Sequence, residues 1–142
     1  MTDASAQRGD RHRLARVALA LYLPALFTAT HWPQLRLPAG PIERPDLLVH
    51  VGAFGLLAFL VQRAHVFGRA RGTRNTLIAG AASLAYAAFD EITQAIPALR
   101  RQAVIDDFLA NALGVFLGVS AGALVGAFRA RNGGGVEGGE RA

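Results

Sequence analysis

Four apolar runs divide the chain, over residues 14–30, 47–64, 76–97 and 104–128. Stretches rich in arginine, proline or glycine separate them. A helix needs about 20 mostly apolar residues to cross the hydrocarbon core of a bilayer. The third and fourth runs reach that length. The first two approach it, with flanking arginines that can snorkel to the interface. A soluble bundle would instead need a polar stripe along each helix. Between Ala112 and Phe128 the only polar side chain is Ser120, so the fourth helix has no such stripe. The pattern predicts an all-α integral membrane bundle of four transmembrane helices.

The same pattern divides the chain into a flexible basic N-terminus over 1–13, a membrane domain over 14–130 and a flexible glycine-rich tail over 131–142. Four of the six prolines fall between His31 and Asp46, which reads as an extended surface connection. The first run also has the parts of a signal peptide, a basic leader before an apolar core. Pro24 interrupts that core and no Ala-x-Ala follows, so a retained span is expected.

Against this background the informative positions are polar. Asp90, Glu91 and Gln94 sit near the end of the third run, and Asp106, Asp107 and Asn111 open the fourth. A bare carboxylate in hydrocarbon costs roughly 3 kcal/mol or more, so such groups face partners, water or a ligand. Helical phasing sorts them. Asp107 and Asn111 share a face that continues through Gly114, Gly118, Gly122 and Gly126, a helix-packing stripe that lets a neighbour approach closely. Gly80, Ser83, Ala87, Glu91 and Gln94 form a matching stripe on the third helix, with Asp90 slightly off it. Asp46 and His50 lie one turn apart at the start of the second helix. Asp106 points about 100° away from Asp107, where it suits a helix cap or the interface.

Each position also has a structural explanation. Asp46 follows Pro45 and suits a helix start. A histidine on an apolar face is often a packed, hydrogen-bonded one. The glycines read as packing alone. Glu91 and Asp107 are the hardest to explain as scaffold, because both lie on inward faces. With His50 they suit a divalent cation, acid–base work or pairing with Arg101 that locks the bundle. The residues leave these three open and assign no cofactor. The chain has no cysteine, which excludes disulfides and thiolate chemistry.

Charge adds orientation. All fifteen basic residues are arginine, and the net charge is +5. They flank apolar runs instead of forming a basic face with interleaved aromatics, which argues against nucleic acid. Eleven arginines fall in the leader, in the connection after the second run and in the tail; the other four are Arg36, Arg44, Arg100 and Arg101. The positive-inside rule then makes both termini cytoplasmic. Asp46, His50, Asp90, Glu91, Gln94, Arg101, Asp107 and Asn111 come to one depth near the outer leaflet, as a polar pocket.

These residues resemble the VanZ-like membrane protein family. The resemblance rests on Asp46-x-x-x-His50, on Asp90-Glu91-x-x-Gln94, on Pro97 with Arg101, and on Asp107-x-x-x-Asn111-x-x-Gly114. It covers roughly residues 44–118. Leu47 stands where the family often has lysine, and Ala-Leu-Arg separates Pro97 from Arg101 where the family often reads Pro-Gly-Arg. The resemblance implies a small four-helix protein of the bacterial cytoplasmic membrane and a link to sensitivity to glycopeptides of the teicoplanin type. It supplies no reaction.

The expected function is therefore an envelope protein whose outer-leaflet pocket binds a membrane lipid or a lipid-linked cell-wall component. Arg101 would meet an anionic head group or a carboxylate. One alternative is a membrane-embedded enzyme acting on an envelope lipid or peptidoglycan precursor, with His50 or a carboxylate as base. Another is a small transporter or channel subunit that assembles through the glycine stripe. The sequence assigns neither catalysis nor an oligomeric state.

Overall fold

A computed structural model describes residues 4–32, 44–67, 72–94 and 105–133. It contains four helices: α1 (Ala4–His31), α2 (Pro45–Ala64), α3 (Thr73–Gln94) and α4 (Ile105–Gly133). All the described secondary structure is helical. Each helix carries all or most of one apolar run, and boundaries differ where local chemistry overrides hydropathy. α1 begins at Ala4, so residues 4–13 of the leader expected to be flexible over 1–13 form a helical extension of the first apolar run. Alanine, glutamine and arginine there favour helix without needing apolar burial. α4 likewise continues through Arg131 to Gly133, three residues into the expected tail. α2 starts with Pro45 in its first turn and Asp46 behind it, a favourable order for an N-terminus. It ends at His65 in the left-handed conformation, φ 48°.

Contacts at the two ends fix an up-down-up-down order. At one end Thr30 of α1 bonds Asp90 of α3, and His50 of α2 bonds Asn111 of α4. At the other end Arg16 of α1 bonds the Ala64 carbonyl of α2, and Asn75 of α3 bonds the Gln62 carbonyl. Midway, the Tyr22 hydroxyl donates to the Ala53 carbonyl at 2.9 Å.

The closest packing joins α2 to α4, and small residues make it possible. A Cβ at Gly114 would strike the Val51 carbonyl, and one at Gly118 would strike the Gly55 carbonyl. At Gly122 it would strike the Gln62 side-chain oxygen. Three members of the expected glycine stripe therefore pack as the spacing implies. Gly126 does not: a Cβ there meets nothing within 4 Å. The helices have separated by that turn, so the stripe outlasts the contact it serves.

The interior is small. Phe54, Leu57, Ala58, Ala87 and Val115 fill its centre, each at most 2% exposed, with Leu19 and Leu26 of α1 against them. Large apolar side chains instead cover the outside, including Leu21, Leu77, Ile92, Phe116 and Leu124, all more than 60% exposed. An exterior of this kind matches lipid, not water. By length and composition α1, α2 and α4 can each cross a membrane. α3 is less apolar because its polar residues face inward.

Gly118→Val is expected to lower thermal stability in detergent by about 1–3 kcal/mol, since the opposing atom is backbone and cannot turn aside. Gly126→Ala is expected to stay within about 1 kcal/mol of the parent, on the helix-propensity side. Equal melting temperatures for the two variants would contradict the packing described.

Candidate functional site

The polar residues picked out by phasing come together at the end of the bundle where α2 and α4 begin. They form two networks that divide at the Asp90–Glu91 pair. Adjacent residues on a helix point about 100° apart, so the two carboxylates face different neighbours.

Glu91 faces α4. The Asn111 amide nitrogen donates to Glu91 Oε1 at 3.1 Å, and the Asn111 oxygen meets His50 Nδ1 at 2.9 Å. Asn111 is 0% exposed and Glu91 6%. One amide thus links α2, α3 and α4. Its orientation also sets the histidine. With the amide nitrogen committed to a carboxylate, the oxygen faces the ring, and His50 Nδ1 carries the proton. Nε2 then looks along the bundle toward Asp107 Oδ2 at 3.7 Å. His50 and Asp107 retain 14% and 17% side-chain exposure, so this pair is the part of the network that opens outward. A neutral His50 presents an acceptor to an acceptor here. A donor placed between them, or a proton on Nε2, completes the arrangement.

Asp90 faces α1 and is 0% exposed. The Thr30 hydroxyl donates to Oδ1 at 2.8 Å, and the Gln94 amide donates to Oδ2 at 2.7 Å. His31 Nδ1 lies 3.7 Å from Oδ1, while its Nε2 meets the Thr93 hydroxyl at 2.9 Å. These bonds meet the desolvation cost of burying the carboxylate. Asp90 and Gln94 therefore fasten α1 to α3, and the expected single pocket holds them only as its wall. Thr30 and His31 had no signal in helical phasing, because they close the apolar run of α1, and Thr93 of α3 lies outside the stripe that carries Glu91 and Gln94.

Arg44 closes the rim. Its guanidinium donates to Asp46 at 3.1 Å and to Asp106 at 3.3 Å, and approaches Asp107 Oδ1 at 3.5 Å. The hydrogen bonds to Asp46 and Asp106 raise its pKa above the usual arginine value. Asp46 and Asp106 are 45% and 52% exposed, so Asp46 belongs to the rim with Asp106 and not to the buried network. Exposed pairs of this kind contribute little stability, and their effect is to align the starts of α2 and α4. The expected cationic partner, Arg101, lies outside the described residues, as does Pro97.

Among the described residues no three histidine or carboxylate groups converge with metal-binding geometry. His50 and Asp107 approach each other, while the amide of Asn111 stands between His50 and Glu91. An apolar groove of about 490 Å³ runs beside this end, along Pro24, Ala25, Thr28 and Ala29 of α1 and the following Trp32.

The VanZ/LLP1 family model matches residues 47–126. That span takes in α2, α3 and most of α4, and with them His50, Asp90, Glu91, Gln94, Asp107 and Asn111. Asp46, Arg44, Thr30 and His31 fall before it. No curated protein and no solved structure matches the chain. With more than half of its length matched, and with lipid-compatible helices carrying the polar network, the chain is a membrane protein that belongs to the VanZ/LLP1 family.

Proposed function

We propose that this protein crosses the bacterial cytoplasmic membrane four times and binds a lipid or lipid-linked cell-wall component at its outer leaflet, altering envelope sensitivity to glycopeptides of the teicoplanin type. The observation that carries the reading is the His50–Asp107 pair, two hydrogen-bond acceptors 3.7 Å apart at the open end of a buried network. Such a pair suits a ligand ammonium that donates to both, or a hydroxyl that donates to one of them. Behind it Asn111 bonds both Glu91 Oε1 and His50 Nδ1 and holds the imidazole in place. Asp46, Asp106 and Arg44 form the rim that the head group would pass.

The membrane placement rests on the faces of α3. Its buried side carries Asn75, Ser83, Asp90, Glu91 and Gln94, and its outer side carries Leu77, Leu84, Phe89 and Ile92. Twenty-two helical residues reach about 33 Å, enough for a hydrocarbon core of about 30 Å. α3 thus suits a fourth span that hides its polar groups inside the bundle. Arg63, Arg74, Arg129 and Arg131 lie at the end away from the polar network, which supports cytoplasmic termini by the positive-inside rule.

The same geometry supports a second reading, a membrane-embedded enzyme. Nδ1 of His50 is held by the Asn111 oxygen, so Nε2 faces the opening with a lone pair. A histidine oriented at one nitrogen and free at the other can take a proton from a substrate hydroxyl.

Glu91→Gln and Asp107→Asn preserve volume while removing one charge each. Both are expected to yield folded protein that loses the bound envelope component, read by native mass spectrometry, and that no longer alters glycopeptide sensitivity. Full retention of ligand and phenotype in both variants would exclude either reading. His50→Gln separates the two: accumulation of bound ligand in that variant favours turnover, and loss of ligand favours binding alone.

Topology is open to direct labelling because the chain has no cysteine. In intact cells an impermeant maleimide is expected to label Ile105→Cys and to spare Arg74→Cys. Labelling of both from outside would rule out α3 as a span.

A further inference from the structure

At the arginine-rich end the helices meet through polar contacts outside the site already described. His12 Nδ1 bonds the Arg63 carbonyl at 3.1 Å, and Arg16 Nε donates to the Ala64 carbonyl at 3.0 Å. The His12 and His65 rings meet edge to face at 4.5 Å. α1 therefore caps the last turn of α2 and satisfies carbonyls that a helix end leaves open. Only one nitrogen of Arg16 is used in this way. Its two terminal nitrogens make no hydrogen bond to a described residue and face outward.

Further arginines lie at this end: Arg63 of α2 is within electrostatic reach of Arg129 of α4 and Arg11 of α1, so three helices contribute to one basic cluster. The described ion pairs all involve Arg44 or a histidine, at the opposite end. None of these clustered arginines has a described carboxylate within ion-pair distance.

An apolar groove of about 290 Å³ starts at Arg16 and runs along Leu19, Ala20 and Leu23 of α1 beside Val66. Its floor descends toward the middle of the bundle, since Leu19 and Leu23 succeed Arg16 by one and two turns. A guanidinium with free donors above an acyl-sized apolar slot matches one ligand in both its parts. We propose that this end of the bundle is a site for an anionic phospholipid, with the phosphodiester at Arg16 and one acyl chain in the Leu19–Leu23 groove. Basic pockets between membrane helices hold anionic head groups in this way. The membrane supplies the ligand at high local concentration, and a groove open to lipid needs no separate route in. The site is independent of the His50–Asp107 network.

The test is competition between head groups. Purified protein in mild detergent receives phosphatidylglycerol and phosphatidylcholine of matched acyl composition in equal amounts, and native mass spectrometry reads the bound fraction of each. The expected result is preferential retention of phosphatidylglycerol, reduced about fivefold by Arg16→Gln. Leu23→Trp is expected to reduce it as well, although it changes no charge and no hydrogen bond. Arg74→Gln removes a charge at the same end but outside the groove, and should leave retention unchanged. Asp107→Asn should also leave it unchanged, which keeps this site distinct from the proposed envelope ligand. Equal retention of both lipids would overturn the proposal, as would equal losses in Arg16→Gln and Arg74→Gln, or retention unaffected by Leu23→Trp. If Arg16→Gln does not fold, the Leu23→Trp arm decides alone.

Discussion

The Asn111 amide is the interaction on which this architecture turns. It is completely buried, and both of its ends are occupied, the nitrogen by Glu91 and the oxygen by His50. A carboxylate, an amide and an imidazole in hydrocarbon would each be costly alone; joined in series, each satisfies the next. The series also ties α2, α3 and α4 at a single depth, so the polar groups and the helix order specify one another. Removing the amide would leave two partners short of a bond, at about 1–3 kcal/mol each. That asymmetry makes the network both a register pin and a way of aiming His50.

Glycine packing is what allows the amide to reach. A hydrogen bond of 2.9 Å between short side chains on two helices requires close backbones. Gly114 and Gly118 on α4 provide this by lying against the Val51 and Gly55 carbonyls of α2. Asn111 is one turn from Gly114, and His50 precedes Val51. The tightest helix contact and the central hydrogen bond are thus adjacent parts of one interface. Further along α4, Gly122 accommodates the Gln62 side chain, whose nitrogen bonds Thr76 at 2.7 Å. Gly126 lies past the last contact, which is why its side of the helix is free.

Much of this was readable from residue spacing, because inward polar residues in apolar helices carry a strong signal. The four helices and the shared depth of His50, Glu91, Asp107 and Asn111 follow from periodicity and from four-residue steps. The division between Asp90 and Glu91 does not. Their 100° separation is evident in sequence, but which neighbour each meets depends on where α1 packs. Thr30 and His31 close an apolar segment and carry no periodic signal, yet they supply two of the three described partners of the most buried carboxylate. Arg44 was equally silent, since an arginine in a proline-rich connection does not reveal that it will join the starts of two helices. The helical leader escaped notice for a simpler reason: hydropathy locates apolar burial, and helices extend beyond it.

The position of α1 bears on what the network can admit. The family match begins at residue 47, so the helix that seals Asp90 lies before the matched region. α1 contacts α3 far less than it contacts α2, and at this end it is held to α3 by the Thr30 and His31 bonds. Asp90 and Glu91 share a backbone segment, so the first bond set fixes the side of α3 next to the second. Glu91 accepts from Asn111 on one side of the turn that Asp90 anchors from the other. The two adjacent carboxylates are therefore best understood as a fixed point and a working group. The first secures α3 against α1, and the second transmits that rigidity through Asn111 to the exposed nitrogen of His50.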